Sequence, residues 1–479
     1  MPVSETAPLL SNHSSRPVHV YATIAAMGGL VCGYDTGSIS GIIALPNFQE
    51  RFFLYGSSAY YQSMLLASFL VTCMSGAFFS GYFCDHIGRK HSMLLGSCLL
   101  WVGISCELLG LNMLSLVLGR LISGTGTGLM TNAIPLYQSE IAPANIRGKL
   151  ISLFALLSSF GQMIGYWVTY KSSYLELDLS WRMPWLVQMI LCMLYIVLVC
   201  YLPFSPRWLI DKQREKEGLQ VLSVIYNVPQ DNTFIQQAAI EIKASIEAEK
   251  KTGDSCTFSE LFQGSNLSRT CFAFFISVAT CFTGNVVILY YAPQIFKQAG
   301  LSDISVSLAL TGGIGCLSLL FTALSLQWWI DLWGRKALFF VGSVISAICM
   351  ILIGCMFDFF IKVSNDDIIL TNNSARLVII ACIYLFSAAH AGTWGVANYV
   401  YTAEIFSMRC RAKGLSLTYA LSWACSIVIT YCAPYCLAYS VSGVYYFFGL
   451  CSIITVFGIA CMPETRGKTL EEIDIMFDK

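Results

Sequence analysis

The feature that most constrains this sequence is a series of apolar runs, each long enough to cross a membrane. About 20 apolar residues span a hydrocarbon core of roughly 30 Å as an α-helix. Charged residues make up only 12% of the chain, against about a quarter in soluble domains. The sequence therefore predicts an all-α membrane protein. The runs lie at about 20–42, 61–82, 92–111, 114–137, 150–170 and 183–203, and again at about 271–296, 306–330, 338–361, 376–402, 414–437 and 443–461.

The runs fall into two sets of six, which predicts twelve spanning helices in two bundles. A charged stretch lies between the sets, and its apolar residues recur at helical spacing, which favours short surface helices over disorder. The first run lacks a small-residue cleavage site, so we expect no cleaved signal peptide. The predicted division is a tail at 1–19, a bundle at 20–205, a helical linker domain at 206–270, a bundle at 271–461 and a tail at 462–479.

The basic residues predict the orientation. With both termini in the cytosol, most of the 28 Lys and Arg residues fall in cytosolic loops, as the positive-inside rule requires. The formal net charge of zero argues against a nucleic-acid partner and leaves the lipid bilayer as the expected one. The basic residues that would face outward are Arg51, Lys171, Arg182, Lys297, Lys362 and Arg376.

Acid and arginine pairs repeat between the two halves. "GYFCDHIGRK" and "QWWIDLWGRK" share one spacing, and "SEIAPANIRGK" and "AEIFSMRCRAK" share another. Isolated loop charges contribute little, but repetition of both spacings predicts a duplicated six-helix unit with an ordered network at its cytosolic ends. Pairs between the bundles would hold the inner side shut during alternating access. The residues are Asp85, Arg89, Glu140 and Arg147, and in the second half Asp331, Arg335, Glu404 and Arg411.

Three ionisable residues lie inside predicted spans of the first half: Asp35, Glu107 and Arg120. Such residues are costly in the bilayer and usually face a cavity and pair with one another. Their similar depth below the outer surface predicts that they meet. Asp35 and Glu107 are then rival partners for Arg120.

Several motifs resemble those of sugar porters of the major facilitator superfamily, and fungal members most of all. They are "GYDTGSISG", "YQSEIAPANIRGK", "AEIFSMRCRAKGLSLT" and "PETRGKTLEEID". The resemblance covers nearly the whole chain, and it implies a monomeric carrier of a hexose, pentose or polyol without a cofactor. It also implies proton coupling through Asp35 and Arg120. An uncoupled facilitative carrier and a non-transporting sugar sensor remain alternatives.

The same resemblance implies a set of substrate-binding positions, several of which depart from the family. Amides are missing at several of them, and an unmade hydrogen bond costs about 1–3 kcal/mol. A smaller or less polar polyol is therefore a plausible substrate. Tyr290 and Tyr291 match an aromatic gate. The full set is Gln162, Thr280, Cys281, Asn285, Tyr290, Tyr291, Asn398, Tyr399 and Trp423.

Other signals are weaker. Most of the 20 cysteines lie in spans without a C-x-x-C pair, which favours packing over a metal site. "GTGTG" lies inside a span, so it indicates helix packing rather than nucleotide binding; with no catalytic constellation we expect no enzyme. His390 is expected to be a packed, hydrogen-bonded residue. Asn372 begins an outward "NNS" glycosylation motif.

The expected location is the plasma membrane. The N-terminal "ETAPLL" has the form of an acidic dileucine sorting signal, with Glu5, Leu9 and Leu10. This motif leaves a vacuolar or other internal membrane as the alternative.

Overall fold

The computed structural model describes residues 16–53, 58–143, 146–251, 257–301, 303–364, 367–370, 372–407, 410–466 and 476–477. The "ETAPLL" motif lies outside the described residues. The side chains of Arg147 and Asp331 lie outside them as well, so two members of the predicted cytosolic network have no described position.

Helices account for nearly all of the described chain. The first half holds α1 (Arg16–Ala44), α2 (Pro46–Phe52), α3 (Ser58–Ile87), α4 (Arg89–Leu109), α5 (Met113–Ile141), α6 (Arg147–Ser172) and α7 (Leu179–Cys200). The linker holds α8 (Pro206–Asp211), α9 (Glu215–Tyr226) and α10 (Thr233–Lys251), followed by a 3-10 turn at Ser259–Phe262.

The second half is built in the same way, with more interruptions. It holds α11 (Gly264–Thr280), α12 (Val286–Gln298), α13 (Ile304–Leu324), α14 (Ile330–Leu332), α15 (Arg335–Phe360), α16 (Asn373–Gly392), α17 (Trp394–Ile405), α18 (Arg411–Tyr439) and α19 (Val441–Ala460). A hairpin of β1 (Ile361–Ser364) and β2 (Asp367–Leu370) pairs Ile361 with Leu370 in antiparallel register.

The described helices confirm the predicted all-α membrane fold. Among the described residues, eleven helical stretches are long and apolar enough to span a membrane. The 29-residue α1, at the position of the first predicted span, precedes them. We call the side that carries α8 to α10 the linker face, and the side that carries α2 and the hairpin of β1 and β2 the hairpin face.

Close backbone contact joins α1 to α6. A Cβ atom added to Gly33 would overlap the carbonyl of Ser158, and one added to Gly37 would overlap that of Gln162. Gly161 on α6 meets the backbone of α1 in the same way. The glycines spaced four apart in "GYDTGSISG" therefore form the small-residue face that lets two membrane helices approach.

Two spanning helices are broken near the middle. Between α11 and α12, residues Cys281–Asn285 form a π-helical turn in which Gly284 has φ 96°. Only glycine adopts this conformation without strain. Between α16 and α17 the break is at Thr393, with φ −114° and ψ −79°. Interrupted helices at membrane depth are tolerated where they line a cavity, and they mark binding sites in transporters.

Hydrogen bonds join the two bundles at both faces. Towards the hairpin face, the Ser63 hydroxyl on α3 donates to the carbonyl of Tyr431 on α18, at 3.2 Å. Towards the linker face, the Asn132 amide on α5 donates to the Ser416 hydroxyl on α18, at 2.8 Å. The bundles thus touch above and below the centre of the molecule.

Candidate functional site

A cavity of about 240 Å³ lies between the two bundles. This is just below the 300–1,000 Å³ typical of small-molecule pockets, so the cavity suits one small ligand. Helices of both halves supply its wall, including both interrupted helices. Its polar side chains are Thr36, Thr127, Thr131, Ser158, Ser159, Gln162, Tyr166, Asn285, Ser318, Thr322, Ser387, His390, Tyr399 and Trp423.

Four of the nine predicted substrate-binding residues line this cavity: Gln162, Asn285, Tyr399 and Trp423. Gln162 Nε2 donates one of its two hydrogens to the hydroxyl of Tyr166 at 2.9 Å, which orients the amide. The ring of Tyr399 lies 5.7 Å from that of Phe154, edge to face, and joins the two halves on the linker side.

The other five predicted residues do not belong to the wall of this cavity. The Thr280 hydroxyl donates to the Ile276 carbonyl of its own helix, at 2.8 Å. The Cys281 thiol lies 3.4 Å from the Ser422 carbonyl, and the Tyr291 hydroxyl donates to the Thr430 carbonyl at 2.8 Å. Their polar atoms are thus already bonded to protein. Tyr290 and Asn398 also lie off the wall, so a binding role for these five stays a prediction.

Sequence reasoning missed the hydroxyl groups and the imidazole in the wall. Ser159 and Thr322 share a hydrogen bond of 3.2 Å between the halves. His390 was expected to be packed and hydrogen-bonded. Its ring does stack on Phe386 at 5.8 Å, but its buried Nδ1 has no hydrogen-bond partner. Single Ser, Thr and His residues in apolar spans carry no periodic signal that separates a cavity wall from a packed core.

The three predicted intramembrane charges meet beside the cavity. Arg120 Nη1 lies 3.0 and 2.9 Å from the two carboxylate oxygens of Asp35. Arg120 Nη2 lies 3.4 Å from Glu107 Oε2. All three side chains are buried, with at most 2% exposed. Asp35 and Glu107 are therefore both partners of Arg120, and Asp35 has the closer contact.

Gln188 on α7 completes this network and was not predicted. Its Nε2 donates to Asp35 Oδ1 at 3.0 Å, and the residue is fully buried. The Ser123 hydroxyl donates to Glu107 Oε1 at 2.9 Å. An uncharged amide in an apolar span gives little warning of such a role. We call Asp35, Glu107, Arg120, Ser123 and Gln188 the Arg120 cluster.

The charge of the Arg120 cluster determines what it can do chemically. One guanidinium faces two carboxylates, so the cluster carries an excess negative charge when both are ionised. Burial of an uncompensated charge is costly. Uptake of one proton by either carboxylate would remove the excess.

The linker face holds two equivalent ion pairs. Arg89 Nη2 lies 2.7 Å from Glu140 Oε1, and Arg335 Nη2 lies 2.7 Å from Glu404 Oε1. Arg89 also lies 3.3 Å from Asp85. Each pair joins two helices of one bundle, whereas we expected pairs between the bundles. Among the described acids, those within salt-bridge distance of Arg89 and Arg335 belong to the same half of the chain as the arginine.

Two other predicted residues have described positions. The Arg411 guanidinium donates to the Phe406 carbonyl at 3.3 Å, at the start of α18. Asn372 caps α16, since its side-chain oxygen accepts from the backbone N–H of Ser374 at 2.9 Å. The cap leaves the Asn372 amide nitrogen uninvolved in that bond, and its glycosylation stays a prediction.

Comparisons with known proteins agree with this architecture. A family model described as "Sugar (and other) transporter" matches residues 21–477. The D-xylose-proton symporter of Escherichia coli (strain K12) is 30% identical, over 98% of this chain and 97% of that protein. The high-affinity gluconate transporter ght3 of Schizosaccharomyces pombe is 29% identical, over 96% of this chain and 83% of that protein.

A solved structure shares the fold over the full length. The proton:xylose symporter XylE bound to 6-bromo-6-deoxy-D-glucose superposes with a TM-score of 0.82 at 27% identity, covering 97% of this chain and 100% of that one. A helical bundle from each half of the chain, with a cavity between them, in this arrangement defines a secondary transporter of the major facilitator fold. The chain belongs to the sugar transporter family, which confirms the resemblance inferred from the motifs. It is a multi-pass membrane transporter and not an enzyme.

Proposed function

We propose that this protein carries a small, neutral polyhydroxy compound, a monosaccharide or polyol, by alternating access together with a proton. The observation that carries the proposal is the pairing of an uncharged cavity with the buried Arg120 cluster beside it. The cavity would take the compound and the cluster would take the proton.

The cavity wall supports a neutral substrate. Among its described residues there is no Lys, Arg, Asp or Glu, while hydroxyl and amide groups are plentiful. A carboxylate placed there would lose its hydration without gaining a fixed counter-ion, which costs several kcal/mol. A neutral polyol would need only hydrogen bonds, each contributing about 0.5–1.5 kcal/mol. A hexose and a smaller polyol both meet this requirement.

The contacts of Asp35 support a role in proton coupling. Thr36 and Cys32, on either side of it in α1, line the cavity. Protonation of Asp35 would weaken its hold on Arg120 while Glu107 still compensates the guanidinium. Movement of α1 against α5 would then follow, and loss of the proton on the other side would restore the pair.

A second candidate is an uncoupled carrier, which one specific observation favours. Asp35 accepts hydrogen bonds from both Arg120 and Gln188. Donors directed at a carboxylate stabilise its charged form. If this stabilisation persists throughout the cycle, Asp35 never takes a proton and serves only to hold Arg120.

Proton flux distinguishes the two candidates. The purified protein, reconstituted in vesicles with an internal pH dye, is supplied with D-glucose, D-xylose, D-sorbitol or myo-inositol. Symport predicts acidification of the vesicle lumen during uptake, and Asp35→Asn should abolish uphill accumulation while leaving exchange of labelled substrate intact. Uptake without any proton movement would reject symport. Specific binding without uptake of any of these compounds would favour the sensor alternative.

We further expect both termini and the linker to be cytosolic, with the protein in the plasma membrane. The support is the distribution of basic residues, which concentrates on the linker face. Fluorescence of a C-terminal fusion, quenched by an impermeant reagent only after permeabilisation, would test the orientation. The cellular location of the same fusion would show which membrane contains the protein.

A further inference from the structure

His390 occupies an unusual place in the cavity wall. It lies in the last turn of α16, three residues before the break at Thr393. Only 6% of the residue is exposed, and it borders the cavity. The break ends the helix at this level, so the imidazole is held at the point where the second bundle faces the cavity.

The imidazole has an unmet hydrogen-bonding group. Its Nδ1 is buried and has no partner, although the ring is held in place by stacking on Phe386. A buried polar atom without a partner costs about 1–3 kcal/mol, and most buried polar atoms in proteins are paired with a protein group or an ordered water molecule. No protein group bonds this nitrogen, so a bound molecule that reaches it when the cavity wall moves during the transport cycle would remove the cost.

Some of the neighbouring hydroxyl groups already donate to other protein groups or share a bond with each other. The Ser387 hydroxyl donates to the Ile383 carbonyl at 2.8 Å. Ser159 and Thr322 share a hydrogen bond, and the Thr322 hydroxyl also lies 3.5 Å from the Ala391 carbonyl as a donor. These groups mainly offer oxygen lone pairs to the cavity. A neutral imidazole has one donor and one acceptor. It can therefore bond a hydroxyl group of a bound molecule, which also donates and accepts, and it adds a donor to a wall that is rich in acceptors.

We propose that His390 binds a hydroxyl group of the transported compound and determines which polyhydroxy compound the cavity accepts. This rests on the proposed function, since it requires that the cavity be the substrate site. The wall has lost several of the amides that the family resemblance would place there. One imidazole on the second bundle, in the same cavity wall as the amide of Gln162 on the first, takes over part of their task.

The test compares a variant that keeps the flat ring with a variant that keeps the hydrogen-bonding groups. His390→Phe retains a flat ring that can stack on Phe386 but has no ring nitrogen. His390→Gln loses the ring but restores a donor and an acceptor. Uptake is measured with radiolabelled D-glucose, D-xylose and D-sorbitol in vesicles, and monodeoxy analogues of the best-carried compound serve as competitors.

In the wild type, one deoxy analogue should bind about 10-fold more weakly than its parent, the effect of one lost hydrogen bond in a buried site. In His390→Phe the affinity for the parent compound should fall by about the same factor. The ratio of the parent's affinity to that of this analogue should then be about one. The ratios to the other analogues should not change, and His390→Gln should restore part of the discrimination.

Each contrary result has its own meaning. If His390→Phe weakens every analogue by the same factor, His390 only packs the wall and the inference is wrong. If the variant leaves all affinities unchanged, the unpaired nitrogen has no part in binding, and the inference is again wrong. If the wild type neither carries nor is inhibited by any of the compounds, the proposed function fails first, and the inference falls with it.

Discussion

At the residue scale, two acids share Arg120, and this sharing lowers the free-energy cost of protonating one of them. Removal of one partner from a buried ion pair typically costs about 3–5 kcal/mol, because a bare charge is left behind. Glu107, at 3.4 Å from the guanidinium, prevents that outcome when Asp35 becomes neutral. Glu107 would thus be a permanent counter-ion, and Asp35 the group that changes state.

This division of roles predicts the effect of Glu107→Gln. Asp35 stays in place, but its protonation would now leave Arg120 without a compensating charge, so proton-driven accumulation should fall at least about 10-fold. Exchange of labelled substrate should persist. The measurement is the accumulation ratio in vesicles under an inward proton gradient. Ser123→Ala removes a hydrogen bond to Glu107 but keeps its charge, so it serves as the comparison and should lower accumulation less than Glu107→Gln.

The ion pair of Arg89 with Glu140 and that of Arg51 with Asp178 give a second prediction at this scale. The side chains of Arg89 and Glu140 are 10% and 7% exposed, whereas those of Arg51 and Asp178 are 41% and 36% exposed. Glu140→Gln should therefore lower stability by about 3 kcal/mol, and Asp178→Asn by less than about 1 kcal/mol.

Thermal unfolding of the protein in detergent, followed by tryptophan fluorescence, measures both effects. Equal shifts in Tm for the two variants would contradict the assignment of the Arg89 pair as a buried structural contact.

The sequence identifies charged residues at this scale more readily than neutral ones. Charge is rare in apolar runs, so the sequence singles out Asp35, Glu107 and Arg120. The rise per residue of an α-helix then gives similar depths in the membrane for all three. Gln188 and His390 have no such contrast. Whether an amide or imidazole faces a cavity depends on the rotation of its helix, which tertiary packing sets.

At the element scale, backbone contact between α1 and α6 depends on glycine. Gly33→Ala should destabilise the protein by about 1–3 kcal/mol, because its Cβ would press on the backbone of Ser158 and not on a side chain that can move. Gly148, also in α6, has nothing within 4 Å of an added Cβ. Gly148→Ala should be neutral or slightly stabilising, since alanine is the better helix former.

Both glycine variants are compared by yield of monodisperse protein and by Tm. Comparable losses for Gly33→Ala and Gly148→Ala would show that the contact between α1 and α6 can relax, contrary to this prediction.

The interruptions of helices are less predictable than their close contacts. The glycines of "GYDTGSISG" recur every four residues, so their shared face can be read directly from the sequence. The π-helical turn at Cys281–Asn285 contains one glycine, Gly284, and the break at Thr393 directly follows one, Gly392. A single glycine in an apolar run fits a continuous helix equally well, so these breaks arise from packing between helices.

At the scale of the whole molecule, two bonds of Asn132 differ in what they join. Its amide donates to Ser80 within the first bundle at 2.7 Å and to Ser416 of the second bundle at 2.8 Å. Separation of the bundles at the linker face would break the Ser416 bond and leave the Ser80 bond unchanged. A contact shifts a conformational equilibrium only if it differs between the two states. Ser416→Ala should therefore favour an opening at the linker face, and Ser80→Ala should not.

Cys32 provides a reporter for this opening, because it is a free, buried thiol in the cavity wall. Its modification by N-ethylmaleimide can be followed by mass spectrometry of the peptide that contains it, which separates it from the other cysteines. Loss of one bond of about 0.5–1.5 kcal/mol should raise the labelling rate about 2- to 10-fold in Ser416→Ala. Ser80→Ala, matched in chemistry and partner, should label at the wild-type rate. If both variants label equally fast, the Asn132 bonds only stabilise the fold, and closure of the linker face depends on other contacts between α5 and α18.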